Sequence, residues 1–107
     1  MASVCVTRKG LEKYPYLFEP LPIGNIKVAN RLFVPPMVTN YATSDGFVTE
    51  RTISYYESRA KGGYGLVIIG SACIDYPEGR SEAFQLSLDD DAYVPGMARL
   101  AEKIKKH

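Results

Sequence analysis

Arg31-Leu32-Phe33-Val34-Pro35-Pro36, then Thr49-Glu50-Arg51-Thr52-Ile53-Ser54-Tyr55-Tyr56-Glu57-Ser58-Arg59-Ala60-Lys61-Gly62-Gly63, then Gly65-Leu66-Val67-Ile68-Ile69: on this stretch the fold turns. The first piece is a short apolar run stopped by two prolines, which reads as a buried strand. In the second, Thr49 is an N-cap for a helix over 50–61. Ile53, Tyr56 and Ala60 recur at three and four residues and form one apolar stripe. Gly62-Gly63 supplies a left-handed stop. The third piece is aliphatic without polar alternation, as strands buried on both faces of a parallel sheet are. Strand, helix and strand so spaced predict one right-handed βαβ unit.

Outward from that unit, Leu17 to Arg31 places Gly24-Asn25 between short apolar pieces, a two-residue hairpin signal. Pro20 and Pro22 keep its first arm at a sheet edge or outside a sheet. Residues 1–16 are mixed and polar and read as a poorly ordered arm, leaving 17–107 as the folded part. Met37 to Phe47 carries Thr, Asn, Ser, Asp and Gly, which is loop chemistry. Gly70 to Leu88 reads as a long loop. Asp89-Asp90-Asp91 then opens a second helix, with Val94, Met97, Leu100, Ala101 and Ile104 as its buried stripe and Lys103, Lys105 and Lys106 at its end.

The composition bounds what such a chain does. It has 107 residues, an apolar fraction of 46% and a net charge of +1. That is globular, and it offers no electrostatic case for nucleic acid or an anionic membrane. No apolar run reaches the 18 or so residues of a bilayer span, and no signal-peptide core opens the chain. Cys5 and Cys73 make no disulfide framework, so the expected setting is cytoplasmic. One His and two distant Cys do not make a four-ligand zinc site.

The order hairpin, β, α, β, α leaves two parallel strands with open edges and an uncovered face. A chain of this order is expected to be part of a larger sheet. The alternative is a small independent α/β domain with unusual pairing.

Several segments together resemble a known family. Leu17-Phe18-Glu19-Pro20, Ile23-Gly24-Asn25, Asn30-Arg31 and Val34-Pro35-Pro36-Met37 are similar to the N-terminus of the Old Yellow Enzyme family. So are Asp45-Gly46-Phe47-Val48-Thr49 and Tyr55 to Gly63 before Gly65 to Ile69. The similarity is closest to the larger NADH:flavin oxidoreductase branch, with its 2,4-dienoyl-CoA and 2-enoate reductases, and covers Tyr16 to His107. The resemblance implies a (β/α)8 TIM barrel, which needs about 250 residues. On that basis the chain is the first quarter of the barrel: bottom hairpin, then β-α-β-α, incomplete as it stands.

Active sites of such barrels lie at the C-terminal ends of the strands. From composition, Pro35 to Thr39 is a strand stop followed by a turn. The resemblance instead implies that Pro36, Met37 and Val38 lie against the flavin of a bound FMN. Relatives carry Thr, Cys or His at the place of Val38, and Val cannot donate a hydrogen bond there or anchor flavin covalently. At the second strand end, Ser71 is a fourth cofactor-binding candidate. A small residue there lets a flat ring approach the backbone, although a tight strand exit needs one equally. No residue here is expected to be catalytic, and no metal ligands are expected.

Other residues have plain readings. Cys73 fits a small buried filler, Tyr55-Tyr56 fits packing with an exposed neighbour, and His107 fits a solvated helix end. Asp89 to Asp91 suits a helix start better than a magnesium site. Arg80 suits a surface role. Gly62-Gly63-Tyr64-Gly65 precedes a strand, so it is no dinucleotide fingerprint.

The resemblance therefore implies the N-terminal part of an FMN-dependent oxidoreductase, with NAD(P)H as reductant and an activated alkene as the small-molecule substrate. A 4Fe-4S cluster or an FAD domain would lie in the remainder of the parent. The quarter alone is expected to be inactive. The competing expectation is a non-catalytic remnant or interaction module, its open strand edges covered by a partner or by self-association.

Overall fold

The computed structural model describes residues 10–107. Of the segment expected to be an arm, residues 1–9 therefore lie outside the described residues. Residues 10–13 are helical, and α1 (Pro15–Phe18) follows, started by the fixed φ of its proline. The Leu17 carbonyl accepts the Arg31 N–H at 2.8 Å, tying α1 to the chain ahead of the first parallel strand.

The hairpin forms as its turn dictates. β1 (Leu21–Ile23) pairs antiparallel with β2 (Ile26–Val28), Ile23 opposite Ile26. Gly24 takes φ +57°, the left-handed value that glycine adopts without strain. This two-stranded sheet stands apart from the one that follows.

The βαβ unit also forms. β3 (Phe33–Val34) pairs parallel with β4 (Leu66–Val67), in register Phe33 to Leu66 and Val34 to Val67. Bonds from Gly65 N–H to the Leu32 carbonyl and from Ile68 N–H to the Val34 carbonyl extend the ladder at both ends. Between the strands runs α2 (Glu50–Lys61), capped by the Thr49 side chain, which accepts from Thr52 N–H. Gly63, at φ +105°, carries the left-handed turn after it. After the long loop come a 3-10 turn (Asp91–Tyr93) and α3 (Val94–Lys105).

Both long helices pack on one face of the parallel pair. Ile53 and Tyr56 of α2 meet Leu100 of α3, with Val67, Ile69, Met97 and Ile104 around them. Fully burying such a side chain contributes about 1.5–3 kcal/mol. The opposite face, which carries Phe33, Leu66 and Ile68, is only partly covered. Burial of 65–69 on both faces is thus not met in this chain: Ile68 is 39% exposed. The helices supply one cover, and no second layer is present among the described residues. The stripe on α3 also needs correction. Val94 is exposed, because it sits at the first turn, beyond the reach of α2. The acidic triplet divides: Asp90 caps the 3-10 turn through Ala92 N–H, whereas Asp89 belongs to the loop.

Asn30 sets the lower end of the parallel pair. It is 1% exposed. Its Nδ2 donates to the Gly63 carbonyl, and its Oδ1 accepts from Leu32 N–H and Gly65 N–H. One amide thereby holds the start of β3 against the turn into β4. A Cβ on Gly65 would lie inside the Asn30 carbonyl, so that position has no room for a side chain.

Candidate functional site

The other end of the parallel pair is where the sequence placed its candidates. Pro35 and Pro36 have no N–H, so the ladder ends there and the chain turns outward. Met37 and Val38 follow, 53% and 37% exposed. From β4 the chain continues through Ile69 and Gly70 to Ser71, also exposed. Val38 and Ser71 border one small concavity with Thr39, Asn40, Gly70 and Phe84 to Leu86. Pro36 and Met37 lie outside it on the adjoining strand end. All four candidates therefore share one end of the sheet.

Tyr56 bolts the two strand ends together from below. It is 1% exposed. Its hydroxyl accepts the Gly70 N–H at 2.7 Å and donates to the Met37 carbonyl at 3.5 Å. Burial pushes its phenol above the usual tyrosine range, so it stays protonated and keeps its donor. A Cβ on Gly70 would meet the Met37 carbonyl at 2.2 Å. The close approach of the two chain ends thus depends on glycine. Packing was the sequence expectation for Tyr56; its hydroxyl adds a polar task that helical periodicity does not encode.

The long loop returns over these ends. Cys73 bridges to Ser87, with Cys73 N–H bonded to the Leu86 carbonyl at 2.7 Å and Leu88 N–H to the Cys73 carbonyl at 2.8 Å. Cys73 is 2% exposed, the buried filler expected of it. Asn40, at φ +62°, offers its Oδ1 to Phe84 N–H, and the Phe84 carbonyl accepts from Ala42 N–H. Asn tolerates this left-handed conformation better than most residues. Gln85, 6% exposed, reaches Ser71. Asp89 accepts from Tyr76 N–H and the Ser87 hydroxyl, and these bonds hold its carboxyl below the usual range. Gln85 escaped the sequence reading, since an isolated polar residue in a loop carries no period, and the bonds that Asn40 and Asp89 make join segments far apart in the chain.

The remaining candidates are peripheral. Arg80 is exposed and stacks over Tyr76. His107 is less free than a solvated end residue, for its ring reaches Glu57 at 3.0 Å and helps hold that carboxyl low. Among the described residues no group of three His, Cys, Asp or Glu could hold a metal ion. No helix of the described residues is long and apolar enough to cross a membrane. The larger concave surfaces lie along the solvated face of α3 and at the opposite end of the strands, away from these groups.

Parallel strands covered by helices on one face, with an exposed cluster at their carboxyl ends, define the opening segment of a (β/α)8-barrel enzyme. Comparison supports that class: the chain superposes on 2-naphthoyl-CoA reductase in its 2-naphthoyl-CoA complex with a TM-score of 0.84 and 33% identity, over 87% of this chain and 14% of that one. The old yellow enzyme from Trypanosoma cruzi follows at 0.77 and 26%, over 88% of this chain and 25% of that one. Residues 16–107 match the NADH:flavin oxidoreductase / NADH oxidase family, and the chain belongs to it. A NADH oxidase of Thermoanaerobacter brockii is 47% identical over 94 residues, 88% of this chain. The chain spans only 14% of that relative's length.

Proposed function

We propose that this chain supplies one wall of an FMN site in an oxidoreductase that passes hydride from NAD(P)H through flavin to an activated alkene of the enoate or enone type. The observation that carries the reading is the meeting of two strand ends. Val38 and Ser71 are brought to one exposed edge that is shallow, small in side chain and partly apolar. That donor set fits a flavin. Met37 and Val38 offer apolar surface to a flat ring. Among the described residues, Val38 N–H and Ser71 N–H make no hydrogen bond, so both remain available at the ring's edge. When bound, FMN would accept and release the hydride. Pro36, Met37, Val38 and Ser71 would hold and orient it, and the loop over 81–88 would keep water from that side. None of them moves a proton in the reaction. Polarisation of a substrate and proton supply are assigned to parts of the protein beyond these residues, as are any 4Fe-4S cluster or FAD domain. A reducing, cytoplasmic setting suits the free thiol of Cys73.

The test is made on the full polypeptide. Purified protein should carry FMN, seen by its visible absorption. NADH or NADPH should bleach it anaerobically, and an enoate or enone should restore the colour. Protein that takes up no flavin would overturn the reading. Residues 1–107 alone should show no substrate-dependent NADH oxidation.

The open face of the parallel pair favours a second reading, a non-catalytic piece whose partner or second copy covers Phe33 and Ile68. Stable folding of the chain by itself, with no flavin uptake by the full polypeptide, would favour it.

A further inference from the structure

Gln85 and Ser71 form a polar pair whose hydrogen assignment follows from chemistry alone. The Gln85 Oε1 lies 2.7 Å from Ser81 N, 3.4 Å from Glu82 N and 3.1 Å from Ser81 Oγ. Backbone amides only donate, so the atom that faces them is the carbonyl oxygen. The side-chain amide is thereby oriented, and Nε2 faces Ser71. It lies 2.9 Å from the Ser71 carbonyl oxygen and 2.9 Å from Ser71 Oγ. An NH2 group also only donates, so Ser71 Oγ is the acceptor. The hydroxyl keeps its own hydrogen, and among the described residues no acceptor takes it. Ser71 is exposed, and the side chain of its neighbour Val38 has no polar hydrogen to offer.

We infer that Ser71 Oγ–H is a hydrogen-bond donor to the bound flavin, and that Gln85 is the positioning residue that presents it. The inference rests on the flavin reading above. Gln85 is 6% exposed and tied on its far side to the loop backbone, so the pair is rigid. Solvent accepts the Ser71 hydrogen while the edge is open, and an acceptor atom on the flavin replaces that water when the ring is seated. A donor supplied from the second strand end then serves where the first offers valine.

The experiment uses the full polypeptide with FMN as the probe. The variants are S71A, Q85E and the double. S71A deletes the hydroxyl. Q85E keeps the acceptor toward Ser81 and Glu82 but turns the other atom into an acceptor, which captures the Ser71 hydrogen. Each single variant should weaken FMN binding about three- to tenfold, the loss of one hydrogen bond. Each should also lower the flavin midpoint potential, because reduced flavin is the more electron-rich acceptor. In FMN affinity the double should be no worse than Q85E alone, since once Q85E has captured the Ser71 hydrogen S71A has no further donor to remove. A purely structural Gln85 would lower thermal stability and leave the affinity losses of S71A and Q85E additive in the double. Flavin-loaded wild type with S71A unchanged in both affinity and potential would overturn the inference and leave the flavin reading standing. Wild type that takes up no FMN would overturn both.

Discussion

Tyr56 shows how much one hydroxyl can carry. It joins the end of β3 to the end of β4 from a helix between them, through the Met37 carbonyl and the Gly70 N–H. Y56F keeps the ring in its pocket and leaves a buried N–H without a partner. The expected loss is about 1–3 kcal/mol of unfolding free energy, read by urea denaturation of the full polypeptide. An unchanged midpoint would mean that water substitutes for the hydroxyl. Asp89 offers a pH-dependent counterpart. Its folded carboxyl titrates below the ordinary aspartate value because Tyr76 N–H and the Ser87 hydroxyl favour the charged form. Stability from this group is complete above the unfolded value of about 3.9 and is lost as pH falls through the lower folded one. The protection factor of the Tyr76 amide, taken against the intrinsic exchange rate at each pH, should therefore fall as Asp89 protonates, and D89N should remove that acid step.

At the scale of elements, side chains at both ends of the parallel pair do what two-residue strands cannot. Asn30 clips the lower ends and Tyr56 the upper, each beside a glycine with no space for Cβ. α2 begins where Thr49 says it should. The Thr49 hydroxyl donates to the Tyr41 carbonyl, so toward Thr52 it acts as acceptor for both the N–H and the hydroxyl. T49A removes the cap and the tether to 41 together. It should cost about 1–2 kcal/mol, visible as a lowered thermal midpoint, with T49S restoring most of it. The cap, the Ile53–Tyr56–Ala60 stripe and the closing glycine were legible, because each depends on neighbours within a turn or two. The return of loop 81–88 over the strand ends was not. Its bonds pair Asn40 with Phe84 and Ser71 with Gln85, across separations that no local pattern spans.

The whole molecule is expanded for its length. Its radius of gyration is 15.5 Å, against ~13 Å for a closed domain of this size. One layer of helices lies on one two-stranded parallel sheet, and the other sheet face is left to Phe33, Leu66 and Ile68. Residues 1–107 expressed alone should self-associate through that face and the free edge of β4. Sedimentation should show species above monomer mass, and I68K should shift them toward monomer. A monodisperse wild-type monomer would argue against it.

From sequence alone came the order of elements, the caps, the hairpin turn and the family resemblance, because these depend on residues near one another or on motifs in fixed order. Tertiary structure alone decided which groups meet. It placed Val38 beside Ser71, set Tyr56 beneath both strand ends and turned Gln85 so that the Ser71 hydroxyl keeps its hydrogen. The element order already implied an uncovered face, but only the tertiary structure showed which residues lie on it, Ile68 at 39% exposed among them, since burial depends on the layer that covers a strand and not on the strand's own residues.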